Sequence, residues 1–298
     1  MLAPAKLNLS LEITGLLPNG YHALDMVMQA VTLYETVTLR RAAQLSLTMA
    51  GCALPADEHN LALRAARCFA AQAGFAAPAA LTVEKRVPMQ AGMGGGSADA
   101  AGVLAGLNAL YAPELCARRG AVFSLPELSA MGLTLGADVP FALTGGTCRV
   151  QGVGEQLHPL PACPPCWFAV VMPRTGVSTP AAFAAYDRAG SRVHPDCAAQ
   201  EQAIRRGDLA GLCAAAANAL QECSGVPETP RLCAQLRQAG ALAALMTGSG
   251  AAVYGIFAQK QAAAAAAEAL RQQGEQVYLC APDAAGARPA PPDAAFPG

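Results

Sequence analysis

Hydrophobic and polar residues alternate in two stretches near the amino terminus, residues 1–14 and 31–40. An alternation with a period of two is typical of a β-strand that has one face in a core. Between the two stretches lies Pro18-Asn19-Gly20, a sequence that favours a turn. The pattern therefore predicts two early strands joined by a turn.

Four later stretches have the spacing or the terminal residues of helices. Apolar positions predict helices over residues 60–72 and 97–111. Ser124 and Glu127 have the spacing of a capping box, which predicts a helix from there to about residue 135. The alanine-rich stretch 262–274 consists mainly of good helix formers and ends in glycine, as a helix commonly does.

Short apolar stretches between these helices predict further strands. We expect one strand at residues 81–83, a pair of strands within 145–155, and another strand at 167–172. Strands thus occur both in runs and in alternation with helices. This order indicates an α+β fold in which mixed sheets pack against helices.

The proline-rich stretch 159–165 is the best candidate for a domain boundary. It divides the chain into an N-terminal domain, residues 1–158, and a C-terminal domain, residues 159–281. The remaining residues, 282–298, are rich in proline and alanine and contain almost no large apolar side chain. Such a composition predicts a disordered tail.

One apolar stretch, residues 240–257, carries no charge and is long enough to span a membrane. Its centre, Thr247-Gly248-Ser249-Gly250, would break a helix there. We therefore expect two buried strands joined by a glycine turn.

Composition and charge exclude several classes of function. The chain of 298 residues has a formal net charge of −1, and its basic residues are scattered, which argues against nucleic acid and membrane partners. The amino terminus does not have the pattern of a secretory signal, so we expect a cytoplasmic protein with mostly reduced cysteines. The single CxxC, Cys163 to Cys166, contains two prolines; we interpret it as a stiff connector, with metal binding as the alternative.

Four glycines between residues 92 and 96 separate the strand predicted at 81–83 from the helix predicted at 97–111. Glycine lets the backbone approach an anion closely, and a helix start directs free N–H groups at it. The pattern favours a phosphate-binding loop over a flexible turn. It is not a Walker loop, because Ser97 and Ala98 follow the last glycine. Ser97 and, less directly, Asp99 are candidates to hold Mg²⁺.

The GHMP small-molecule kinases have three motif regions, and three separated stretches of this chain resemble them: PAKLNLSLEITGLLPNGYHALDMVMQAVTL, VPMQAGMGGGSADAAGVLAGLN and LGADVPFALTGGTCRVQGVGE. A fourth, TGSGAAVYGIF, resembles their late glycine turn. Within this superfamily the chain is most similar to the kinases that phosphorylate a cytidine-diphosphate methylerythritol. The resemblance implies a two-domain α+β fold with the active site between the domains, and ATP with Mg²⁺ as the phosphoryl donor.

The resemblance also assigns catalytic and nucleotide-binding roles. Asp138 matches the base that takes the proton from the substrate hydroxyl, and Lys6 matches the lysine near that aspartate. Because phosphoryl transfer has a loose transition state, charge and positioning matter more than a strong base. Lys6, helped by Lys85 beside the loop, is expected to supply the charge that a Walker lysine would give. The implied ATP-binding residues are Asn60, Lys85, Pro88, Met89, Gln90, Ala91, Gly92, Met93, Gly94, Gly95, Gly96, Ser97 and Ala98.

Substrate recognition is expected to depend on the segment NGYH. The resemblance implies a cytosine pocket formed by Tyr21, His22 and Phe183, with Asn8 and Asp138 beside the methylerythritol. The expected reaction is phosphorylation of the 2-hydroxyl in the non-mevalonate isoprenoid pathway, by a monomer or a homodimer. Two positions depart from the family pattern: Ala98 where a second serine is common, and Ser10 where a bulky apolar residue is usual.

Three alternative functions remain. A kinase of the same fold would act on homoserine, mevalonate or a sugar, but these substrates have no base for NGYH to bind. A non-catalytic nucleotide sensor would not need both Lys6 and Asp138. An NAD-dependent oxidoreductase is disfavoured because Ser97 stands where a third glycine of the dinucleotide motif would fall.

Overall fold

The computed structural model describes residues 1–291, and the end of the predicted tail, residues 292–298, lies outside them. In chain order the described strands are β1 (Leu2–Leu16), β2 (His22–Arg41), β3 (Ser46–Ala50), β4 (Ala79–Glu84), β5 (Thr147–Gly152), β6 (Gln156–Pro159), β7 (Trp167–Met172), β8 (Ala243–Met246), β9 (Val253–Phe257) and β10 (Gln276–Cys280). The described helices are α1 (Leu61–Ala73), α2 (Gly95–Leu110), α3 (Ala112–Arg119), α4 (Leu125–Leu133), α5 (Val139–Thr144), α6 (Thr179–Ala189), α7 (Cys197–Arg205), α8 (Leu209–Ala214), α9 (Thr229–Gln238) and α10 (Lys260–Gln272).

The first sheet has six strands in the order β3-β4-β2-β5-β6, with β1 paired to β2. All neighbours are antiparallel except β3 and β4, so the sheet is mixed, as the element order predicts. Strand β2 begins at His22, well before the alternation that predicts it. Its first half pairs with β1 and β5, and the buried run from Met26 to Val31 has no polar face to reveal the period.

Helix α2 lies at the centre of the N-terminal layer of helices and packs directly on the sheet. Two of its glycines face the sheet, and a Cβ added at Gly102 would lie 2.7 Å from a methyl group of Val37. The small side chains let the helix axis approach the strands closely. The predicted capping box at the start of α4 is confirmed, because Ser124 and Glu127 form both of its hydrogen bonds.

The second sheet has four antiparallel strands in the order β10-β7-β9-β8. Residues of β7 alternate between its two faces. Phe168 and Val170 pack in a core with Leu7 and Leu9 of β1, whereas Val171 packs with helices α9 and α10. Strand β1 is therefore part of the first sheet and packs against the second, and it joins the two sheets into one structure.

Strands β8 and β9 confirm the two buried strands predicted within residues 240–257. In the described part of the chain no single helix is long and apolar enough to cross a membrane, and only α2 with α3, bent by 69°, pass together on length and composition.

The segment after β10 differs from its prediction as a disordered tail. Residues 282–291 return to the N-terminal domain, where Pro282 bridges to Val31 and Arg288 bridges to Leu2. The Asp283 carboxylate accepts hydrogen bonds from Tyr34 and Arg288, both at 2.8 Å. Composition misses this segment because the contacts are mainly between backbones, which small residues favour.

Gly145 provides the space for this segment, and its substitution tests the contact. A Cβ at Gly145 would lie 2.1 Å from the Ala285 carbonyl carbon, in a backbone with φ of +68°. Gly190 has the same φ of +68° and a similar ψ, −173° against −157° at Gly145, and it has nothing within 4 Å of an added Cβ. Gly190→Ala is thus a matched control for the conformational term, which is about 1–3 kcal/mol.

We expect Gly145→Ala to lower the free energy of unfolding by about 2 kcal/mol or more, beyond the loss in Gly190→Ala. Amide exchange in residues 282–288 should also become fast in Gly145→Ala alone. Equal losses in urea unfolding, with residues 282–288 still protected, would contradict the docked segment.

Candidate active site

A cavity of about 850 Å³ lies between the two domains. Its wall is formed by the glycine loop, the start of α2, the end of β7 and the turn between β8 and β9. Most of the residues predicted for the site line it, namely Lys6, Asn8, Lys85, Pro88, Met89, Gln90, Ala91, Gly92, Met93, Gly94, Gly95, Gly96, Ser97, Asp138 and Phe183.

Lys6 and Asp138 come together on this wall, as the motif positions predict. The Lys6 Nζ lies 3.5 Å from Asp138 Oδ2 and donates a 2.7 Å hydrogen bond to Asn8 Oδ1. Asp138 is the N-cap residue of α5, but its side chain makes no capping hydrogen bond. The carboxylate is therefore not used by the turn that carries it. It remains one-third exposed to the cavity, where it can accept a proton.

The glycine loop ends at this pair. Gly94 is the N-cap of α2, with φ of +72°, and a Cβ there would lie 3.2 Å from Lys6 Cγ. The helix begins at Gly95, two residues before the predicted start, so Asp99 lies in its second turn. The free N–H groups at a helix start bind phosphate oxygens, and here they lie beside an ammonium and a carboxylate.

The loop is held by the glycine turn of the second domain. Ala251 N donates to Gln90 O at 3.0 Å, and Ala252 N donates to Ala91 O at 3.2 Å. Gly92 fits so closely under this turn that an added Cβ would lie 2.2 Å from Thr247 O. Two sequence motifs far apart in the chain thus meet backbone to backbone.

Hydrogen bonds of two buried side chains hold this glycine turn, between β8 and β9, in place. Thr247 Oγ1 accepts a hydrogen bond from Asn8 N at 3.0 Å, which ties the turn to β1. Asn218 donates to Met246 O and Gly248 O at 2.8 and 2.9 Å. Neither Thr247 nor Asn218 is predicted as a site residue, because each acts through backbone groups that the sequence does not bring together.

Lys85 has a different environment from the one predicted. Its ammonium lies 2.5 Å from Glu35 Oε1 and 2.8 Å from Asp99 Oδ2, and all three side chains are at most 6% exposed. Burial raises the pKa of Glu35 and that of Asp99, the latter to about 7. Burial opposes the charge of Lys85, but the two carboxylates outweigh it and raise its pKa. Lys85 therefore lies buried next to the loop, and its positive charge is already paired with Glu35 and Asp99.

The residues of the predicted base pocket are only partly assembled. His22 stacks on Phe183 with ring centroids 4.8 Å apart, and its Nε2 lies 2.7 Å from Asp187 Oδ1. Tyr21 is 65% exposed, and of the three predicted pocket residues only Phe183 lines the cavity. An aromatic surface for a base is thus present where His22 stacks on Phe183, and Tyr21 directly precedes His22 in the chain.

Two other predicted ATP-binding residues, Asn60 and Ala98, do not line the cavity, and neither does Ser10, which departs from the family pattern. Asn60 caps α1, where its Oδ1 accepts from Ala62 N at 3.0 Å. Ala98 is fully buried inside α2. Ser10 is also fully buried, and its Oγ accepts from Val27 N and contacts Cys197 Sγ, both at 3.2 Å. Hydrogen bonds thus compensate at Ser10 for the missing apolar bulk.

Comparisons with known proteins agree with this geometry. The family model for the GHMP kinases N terminal domain matches residues 60–146, and that for the GHMP kinases C terminal domain matches residues 201–276. A relative from Pelotomaculum thermopropionicum, 4-diphosphocytidyl-2-C-methyl-D-erythritol kinase, is 39% identical; the match covers 93% of this chain and 96% of the relative. The chain belongs to the 4-diphosphocytidyl-2-C-methyl-D-erythritol kinase family. This confirms the resemblance inferred from the motifs.

Further comparisons place this kinase family within a wider fold. The relative of the same name from Carboxydothermus hydrogenoformans is 38% identical, over 86% of this chain and 87% of its own. A crystal structure of 4-(cytidine 5'-diphospho)-2C-methyl-D-erythritol kinase matches with a TM-score of 0.78 and 34% identity, over 94% and 98% of the two chains. Homoserine kinase from Cytophaga hutchinsonii matches with a TM-score of 0.72 at 16% identity, over 96% and 95%, a likeness of fold alone. The predicted α+β GHMP kinase fold is confirmed.

The buried group of Glu35, Lys85 and Asp99 makes stability depend on pH. With its pKa raised to about 7, Asp99 holds a proton in the folded protein that the unfolded chain releases near pH 4. The folded state therefore binds more protons over this interval, and the contribution of Asp99 to stability falls as pH rises from about 4 to about 7.

We expect Asp99→Asn to flatten the decline of the free energy of unfolding between pH 5 and 7. The difference in slope should approach ~1.4 kcal/mol per pH unit, the value for one proton. Asp57→Asn, in an exposed turn, is the control and should keep the slope of the parent chain. Parallel curves for Asp99→Asn and the parent in urea titrations would contradict the assignment.

Proposed function

We propose that this chain transfers the γ-phosphoryl group of ATP to the 2-hydroxyl of 4-diphosphocytidyl-2-C-methyl-D-erythritol. The products would be ADP and the 2-phosphate, in the non-mevalonate isoprenoid pathway. The observation that carries the proposal is the meeting of Lys6 and Asp138, 3.5 Å apart, at the end of the glycine loop. The names of the relatives support the choice of substrate.

The chemistry assigned to this pair follows from its position. Asp138 accepts the proton of the hydroxyl as the bond to phosphorus forms. Lys6 is 7% exposed, so solvent screens its charge less than it screens a surface charge. Lys6 also donates a hydrogen bond to the Asn8 side chain and fixes its orientation. Asn8 lines the part of the cavity where we propose that the acceptor alcohol binds.

The cytidine of the substrate is proposed to bind at Phe183 and His22. Phe183 lines the same cavity as Lys6 and Asp138. A cytosine stacked on Phe183 would therefore hold the alcohol, which is joined to it through the diphosphate, inside the cavity. Tyr21 is proposed to cover the other face of the base. Homoserine and mevalonate have no base, and they would leave this aromatic surface unused.

Mg²⁺ is proposed to accompany ATP. The Ser97 side chain lies beside the cavity at the start of α2, and its hydroxyl has no hydrogen bond to another described residue. No group of three acidic, histidine or cysteine residues in the described chain could hold a metal. A single hydroxyl fits Mg²⁺ that takes most of its ligands from phosphate and water. When bound, the ion would neutralise phosphate charge.

We also propose a cytoplasmic enzyme that acts as a monomer or homodimer.

Release of ADP from Mg·ATP tests the proposal, with 4-diphosphocytidyl-2-C-methyl-D-erythritol, homoserine and mevalonate as separate acceptors. We expect turnover with the cytidylated alcohol alone. Asp138→Asn should lower kcat by about 10²–10⁴-fold, the range for a general base. Asp57→Asn, which removes an equal charge outside the cavity, should leave kcat unchanged.

The other results would overturn parts of this account. Turnover with homoserine or mevalonate would retain the kinase and reject the substrate. Binding of ATP without turnover on any acceptor would favour a nucleotide sensor. Full activity in Asp138→Asn would reject Asp138 as the base while leaving the substrate in place.

A further inference from the structure

The charged groups on the cavity wall differ in whether they have partners. Lys6 lies beside Asp138, and Lys85 lies between Glu35 and Asp99. Arg174 also lines the cavity, and within residues 1–291 its guanidinium has neither a hydrogen bond nor an ion pair. It is thus the cation on this wall, among the described residues, whose charge is not already matched.

The backbone brings Arg174 close to the phosphate loop. It lies just beyond β7, in the segment that leads to α6, and two residues later Gly176 contacts the loop. A Cβ added at Gly176 would lie 2.6 Å from Gln90 Oε1. Gln90 itself has φ of +52° at the outer end of the loop. The segment therefore lies against the rim of the loop, and Arg174 is fixed to it by a short span of chain.

The same segment also leads to the base-binding surface. Thr179 begins α6 and lines the cavity, and its Oγ1 lies 2.9 Å from Ser249 Oγ in the glycine turn. Phe183 follows one helical turn later. Arg174 thus belongs to the segment that connects the rim of the loop, where ATP is proposed to bind, with Phe183, where the cytidine is proposed to bind; both proposed ligands carry phosphate.

We propose that Arg174 binds a phosphate chain in this cavity, either the triphosphate of ATP or the diphosphate of the cytidylated substrate. The proposal rests on the proposed function for the identity of these two ligands. A guanidinium presents several N–H donors in a planar fork that fits two phosphate oxygens at once. An exposed arginine beside a cavity loses little hydration when such an anion arrives, and no carboxylate of the described chain competes for it.

Four ligands separate the two sources of phosphate. CDP and cytidine differ only by the diphosphate, and a non-hydrolysable ATP analogue and adenosine differ only by the phosphate chain. Their dissociation constants are measured by calorimetry for the parent chain, Arg174→Gln, Arg174→Lys and Arg188→Gln. Arg188 is an exposed arginine near the end of α6 that does not line the cavity, so it controls for net charge.

We expect Arg174→Gln to weaken CDP or the ATP analogue by roughly three- to tenfold, the range for an exposed charge-assisted hydrogen bond. Cytidine and adenosine should bind as before, Arg174→Lys should restore part of the loss, and higher ionic strength should reduce it. The phosphate ligand that is weakened identifies the source.

Equal binding of both phosphate ligands by the parent and Arg174→Gln would overturn the proposal. So would a matching loss for the nucleosides, which would indicate a disturbed pocket, or an equal loss in Arg188→Gln. The proposed function fails separately. The parent chain could fail to phosphorylate the cytidylated alcohol while Arg174→Gln still weakens binding of a phosphate ligand. That result would support phosphate binding by Arg174 and reject the proposed substrate.

Discussion

The site depends on one close contact between two backbones. Gly92 of the phosphate loop lies so near Thr247 in the turn of the second domain that there is no space for a Cβ. Glycine at this position therefore has two effects, since it leaves the loop backbone uncovered and also admits the partner domain. Because Thr247 accepts a hydrogen bond from Asn8 of β1, two residues after Lys6, this contact also holds the strand that carries Lys6 close to the loop.

Charge in the site is divided between support and chemistry. Lys85 is buried among carboxylates next to the loop, where its ion pairs connect the end of β4 to β2 and α2. Lys6 keeps a longer contact with Asp138, which leaves both groups available to a ligand in the cavity. The loop has no Walker lysine of its own, and the structure instead places Lys6 of β1 beside its last residues.

The sequence predicts those features that depend on local pattern. The alternation of apolar and polar residues predicts β1. The glycines and alanines of residues 92–111 predict the loop and α2, and the spacing of Ser124 and Glu127 predicts the start of α4. Contacts between distant segments are not encoded in this way. Nothing local to Lys85 indicates that Glu35 will neutralise it, and the composition of residues 282–291 does not report that Gly145 leaves room for their backbone.

Calorimetric titration of Gly92→Ala with an ATP analogue tests the central contact most directly. Gly74→Ala serves as the control, since Gly74 has the same φ of +70° and nothing within 4 Å of an added Cβ. The account predicts that Gly92→Ala stays folded by circular dichroism but loses nucleotide binding, while Gly74→Ala binds normally. Unchanged binding in a folded Gly92→Ala would contradict the claim that the domain contact forms the site.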